Sequence, residues 1–156
     1  EFRRVLFRSM KQPKVLVIDG QGGRMGRGIV EQLKKRFPSL PLTAIGTNSI
    51  ATAAMLKSGA DQGATGENPV VVNSRNADLI IGPIGIVIAD SLLGEVTETM
   101  AAAVGKSPAC KIFIPVSHRC SHTIVGCEEL PLSEYIRLVC EQVEEILRER
   151  EENLPL

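Results

Sequence analysis

The chain has 156 residues, a formal net charge of zero and 44% hydrophobic residues, but only 3% aromatic residues and no tryptophan. A surface that stacks bases or neutralises a phosphate backbone needs aromatics and a basic excess, so nucleic acid is excluded as a partner. No apolar run reaches bilayer-spanning length, and Cys110, Cys120, Cys127 and Cys140 lack paired spacing and a secretion signal, so the expectation is a cytoplasmic protein with reduced thiols and no membrane partner.

Residues Glu1 to Ser9 resemble the translation of a short-read sequencing adapter and are read as a non-native leader. Residues 10–156 are then slightly acidic and of a length that forms one domain. Lys14 to Ile18 is a short run of branched apolar residues and predicts a strand buried on both faces. Met25, Ile29, Val30, Leu33 and Phe37 follow at helical spacing until Pro38 ends the segment. Leu42 to Gly46 predicts a second strand, and Ser49 is expected to cap a helix that stops at Gly59. A short third strand is placed near Gln62 to Thr65. Asn68-Pro69 has the form of an N-cap and first turn, which predicts helix over Val70 to Asn76 although three consecutive valines favour a strand. Leu79 to Ile81 predicts the fourth strand, ended by Gly82-Pro83. Helical turns are expected from Ile84 to about Val104 with a break near Gly94, a fifth strand over Lys111 to Val116 and a sixth over Thr123 to Val125. The last helix is expected from Ser133 to Arg150, its apolar stripe formed by Ile136, Val139, Cys140, Val143, Ile146 and Leu147, with a frayed tail over Arg148 to Asn153.

Strands alternating with helices predict an α/β, Rossmann-like, doubly wound three-layer sandwich, with a mainly parallel sheet ordered 3-2-1-4-5. In such a fold the turn from the first strand into the first helix presents unpaired N–H groups and a partial positive charge to an anion. That turn reads "VIDGQGGRMGRG". Gly20 is expected to permit the turn, Gly22 and Gly23 to let a pyrophosphate approach the backbone, and Gly26 to let the helix pack on its strand. Gln21, Arg24 and Met25 complete the loop. Asp19 stands where its carboxylate repels a phosphate, and is expected to order the turn by accepting backbone N–H bonds. After the second strand, where a dinucleotide fold presents an acid or a base to the ribose, the chain has Gly46, Thr47 and Asn48. Thr47 and Asn48 are expected to contact the ribose or its phosphate. Gly82, Pro83, Ile84 and Gly85 end the fourth strand beside the first and either line the crevice or form a rigid turn. Asp90, Ser91 and Glu95 are read first as facing solvent or a partner subunit, with the ligand as the alternative. His118, Cys120 and His122 share a face in an extended segment, but their spacing is not that of a zinc site, so no metal is assigned.

Gly23-Arg24-Met25-Gly26-Arg27 resembles the dinucleotide loop of dihydrodipicolinate reductases, which bind NADH or NADPH. That family's substrate-domain histidine pair and lysine motif are missing, so the resemblance implies a cofactor and not the reaction. Over its whole length from Met10 the chain resembles an uncharacterised bacterial family of unknown function, through "VIDGQGG", "AIGTNSIATAAMLKSGA", "GATGEN" and "ADLIIGPIGI". The expectation is a single Rossmann-like nucleotide-binding domain holding NAD, NADP or another small phosphorylated ligand at the first strand-helix turn. Two alternatives stand beside it: a small enzyme using His118, Cys120 or His122 next to a bound nucleotide, and a non-catalytic, homo-oligomeric interaction protein.

Overall fold

The computed structural model describes residues 12–115 and 122–153. Five parallel strands, β1 (Val15–Asp19), β2 (Leu42–Gly46), β3 (Gln62–Thr65), β4 (Leu79–Pro83) and β5 (Cys110–Ile114), form one sheet in the order β3-β2-β1-β4-β5. The helices are α1 (Arg24–Arg36), α2 (Ser49–Lys57), α3 (Glu67–Ser74), α4 (Glu98–Lys106) and α5 (Leu132–Glu152), with a single 3-10 turn over Ile84–Val87. The reversal of strand order falls between β1 and β4, as the alternation of elements predicts.

Side chains alternate across each strand, and the two faces build two cores. Val15 and Val17 pack with Ile29, Val30 and Leu33 of α1, Met55 of α2 and Ile136, Val139 and Val143 of α5. Leu16 and Ile18 pack on the opposite face with Val70 of α3, Ile86, and Met100 and Val104 of α4. Covered on both sides, β1 is buried along its whole length, which is why it is a continuous apolar run.

Several boundaries differ from the sequence expectation for local reasons. The cap of α2 is Asn48 and not Ser49, because the Asn48 carboxamide oxygen accepts the Ala51 N–H. Helix α3 starts at Glu67, so Asn68 and Pro69 lie inside its first turn, where proline is tolerated because no N–H partner is lost. The break expected near Gly94 is wider than one residue, and helix is absent from Ile88 to Thr97. After the 3-10 turn the chain makes tight turns to Val96 and re-enters helix only at Glu98, with the Thr97 hydroxyl accepting the Met100 N–H. Thr123 to Val125 carry no strand, and Val125 is 94% exposed. The tail of α5 is not frayed: helix continues to Glu152, and Arg150 bonds Asp78. Among the described residues, no helix is long and apolar enough to cross a membrane.

Candidate functional site

The C-terminal ends of parallel strands bring together the turns after β1, β2 and β4. Asp19, the last residue of β1, is 5% exposed. Its Oδ1 accepts the Gly20 N–H at 2.8 Å and its Oδ2 the Gly26 N–H at 2.6 Å, so one carboxylate ties the start of the loop to the first turn of α1. Burial pushes the Asp19 carboxyl above its ordinary value against the pull of those two donors, and the nearby charge of Glu95 pushes it the same way.

Glu95 is the residue that the sequence reading placed elsewhere first. It comes from the turns after β4, and its carboxylate accepts the Gln21 N–H at 3.1 and 3.2 Å and the Thr47 hydroxyl at 3.0 Å. The Asn48 carboxamide nitrogen donates to the same Oε1 and also to the Gln21 carbonyl, at 2.9 Å for the latter. Thr47 and Asn48 are therefore brought to the glycine loop, where they hold a carboxylate of the protein itself. A periodicity argument had no means of finding this, because Glu95 is 74 residues from Gln21 in the chain.

The loop glycines divide by what surrounds them. A Cβ on Gly20 would lie 2.5 Å from Thr47 Oγ1 and 2.8 Å from Leu92 Cδ1. Gly23 has φ +70°, and its Cβ would lie 2.7 Å from the Ala51 Cα of α2. Gly26 faces Met55 and Asp19, and Gly46 faces Thr52 and the Asn48 carbonyl. These positions require glycine for close approach within the protein. Of the loop glycines Gly20, Gly22, Gly23 and Gly26, Gly22 alone is exposed and has nothing within 4 Å of a Cβ. The N–H groups of Gly22, Arg24 and Met25 have no hydrogen-bond partner among the described residues, whereas the Gly23 N–H closes the turn on the Gly20 carbonyl at 2.9 Å. Arg24 and Arg27 are exposed and make no ion pair among the described residues.

The turn after β4 is closed rather than open. Gly82 backs onto the Ile18 carbonyl, while Pro83 and Gly85 are buried and Ile84 half-buried. The Ser91 hydroxyl donates to the Gly85 carbonyl, and Leu92 reaches both Gly85 and Gly20, so it fills the space between the ends of β1 and β4. His118 and Cys120 lie outside the described residues, and His122 is exposed. A separate hollow of about 530 Å³ lies between α1 and α5, floored by Ile136 and Cys140; its rim cations are paired, Lys35 with Glu31, Arg36 with Glu144, and Arg137 with Glu134 and Glu141.

Strand order, parallel pairing and the glycine turn together define an α/β domain of the Rossmann-like, doubly wound class. The chain belongs to the family described as domain of unknown function (DUF3842), whose model matches residues 14–148. No curated protein matches the chain. Among solved structures it is similar to the universal stress protein from Archaeoglobus fulgidus, at 17% identity and a TM-score of 0.37, over 67% of this chain and 98% of that one.

Proposed function

We propose that this domain binds a small phosphorylated ligand of the nucleotide class at the C-terminal ends of β1 and β2. One observation carries the reading: a backbone N–H, a hydroxyl and a carboxamide from two successive strand-helix turns converge on a single oxyanion, the Glu95 carboxylate. That donor set suits a phosphate as well as it suits a carboxylate. A phosphate in the same seat gains the unpartnered N–H groups of Gly22, Arg24 and Met25 and the positive end of the thirteen-residue α1. Gly22 leaves the approach free of a side chain, and Arg24 stands next but one in the chain with no ion pair among the described residues.

NAD and NADP are candidates within this class, with Thr47 and Asn48 on the adenosine side and Gly82 to Gly85 on the other. A dinucleotide laid across both sides requires Leu92 to leave, whereas a mononucleotide on the β2 side requires only that Glu95 turn away. Thermal unfolding with NAD, NADP, ATP and AMP tests the proposal. A ligand at a hundred times its dissociation constant stabilises by about 2.7 kcal/mol, which raises the melting temperature of a domain this size by roughly 5–10 °C. An unchanged melting temperature with all four at millimolar concentration, in the wild type and in Glu95→Gln alike, would refute it.

A further inference from the structure

The segment from Ile88 to Val96 is built differently from the other described connections. Asp90, Leu92 and Leu93 have φ values of +63°, +54° and +58°, and Gly94 has +86°, so four of five successive residues are left-handed. Side-chain-bearing residues adopt that conformation only when surrounding contacts hold them there, and such strain collects in elements that switch. Its backbone bonds are nearly all its own: the Asp90 N–H meets the Val96 carbonyl at 2.7 Å, the Val96 N–H meets the Ser91 carbonyl at 3.2 Å, and the Gly94 and Glu95 N–H groups bond the Asp90 and Leu92 carbonyls. The segment is thus a closed unit pinned at Val96, which is 1% exposed.

From Asp90 to Glu95, only side chains fasten it to the strand ends. Glu95 takes the donors of Gln21, Thr47 and Asn48, Leu92 fills the gap between Gly20 and Gly85, and Ser91 bonds the Gly85 carbonyl. At the tip, Leu93 is 96% exposed and makes no anchoring contact with the sheet. These contacts can be released together without breaking the unit's internal bonds.

Resting on the nucleotide reading above, we infer that residues 88–96 form a strap that closes the ligand site, with Glu95 as a tethered carboxylate in the phosphate's seat and Leu92 as a plug. The phosphate and Glu95 then compete for the same donors, and two anions do not share them. Apparent affinity is the intrinsic affinity reduced by the fraction of molecules with the strap open, so weakening the closed state tightens binding.

Isothermal titration with ATP and with NAD on wild type, Glu95→Gln and Ser91→Ala, with hydrogen exchange on the same proteins, tests this. Glu95→Gln keeps the shape and removes the charge; Ser91→Ala loosens the strap without touching any donor of the site. Both are expected to bind about tenfold tighter than wild type. Ligand is expected to protect residues 20–26 in wild type, while the N–H groups of residues 88–96, bonded within the unit, keep their protection. Binding by the variants alone supports the strap most directly. Equal affinities in all three proteins overturn the strap and leave the nucleotide reading standing. Binding of neither ligand to any of the three overturns both.

Discussion

Gly22 and Gly23 are adjacent and chemically identical, yet their surroundings predict opposite responses to alanine. At Gly23 a methyl group meets two penalties. Holding alanine at φ +70° costs about 1–2 kcal/mol. Its Cβ would also lie 2.7 Å from Ala51 Cα and 3.1 Å from the Ala51 carbonyl, both backbone atoms of α2, which have no rotamer by which to yield. Overpacking of that kind costs about 1–3 kcal/mol, and the reduced freedom of the unfolded chain returns only about 0.4–1 kcal/mol. The net loss is about 1–4.5 kcal/mol, which lowers the melting temperature by roughly 2–18 °C. At Gly22 the methyl meets nothing within 4 Å and the backbone is not left-handed, so stability is expected to stay within about 1 kcal/mol of wild type, on the stabilising side. The same methyl points into the approach proposed for a phosphate, so nucleotide binding is expected to weaken. Urea unfolding followed by circular dichroism reads the stabilities. Coincident midpoints for wild type and Gly23→Ala would refute the packing origin of that glycine, and unchanged nucleotide binding by a folded Gly22→Ala would count against an approach over Gly22.

Three further outcomes are expected. Asp19→Ala leaves the Gly20 and Gly26 N–H groups without their acceptor and is expected to lower urea-unfolding stability by about 2–4 kcal/mol, partly offset by relief of a buried charge; a loss under about 0.5 kcal/mol would contradict this role. Because burial, and then the Glu95 charge, raise the Asp19 carboxyl, its contribution to stability is fully present below the unfolded value of about 4 and is lost as pH rises through the folded value. Wild-type stability relative to Asp19→Asn should therefore fall as pH rises from about 4, and a difference that grows with pH would reverse the assignment. Cys110 and Cys127 are exposed, whereas Cys140 is buried and its thiol is pushed up by burial against the pull of Arg36. Iodoacetamide with peptide mapping is expected to label the first two in the folded protein and Cys140 only on unfolding; rapid native labelling of Cys140 would show that α1 and α5 part readily.

The centre of the sheet was legible because β1, β2 and β4 are short, largely apolar runs followed by turns, and strands covered on both faces leave that mark in the chain, whereas β3 is polar and mostly exposed. The strap was not, since Ile84 to Val104 has a helix-like composition and positive φ at Asp90, Leu92 and Leu93 has no sequence signature where glycine is not used. The glycine turn was legible as a turn but ambiguous as to cause. A glycine records only that something approaches closely. At Gly20 it is Thr47 and Leu92, at Gly23 it is α2, and at Gly26 it is Met55 and Asp19, all parts of the same molecule. A ligand therefore has to be argued from the residue that internal packing leaves unexplained, Gly22, and from the donors that a carboxylate far along the chain already holds. Asp19 and Glu95 make the same point for charge. In the sequence Asp19 reads as repelling a phosphate and Glu95 as facing away, yet in the structure Asp19 orders the loop's ends and Glu95 occupies its middle, so that removal of Glu95, and not of Asp19, is expected to open the proposed site.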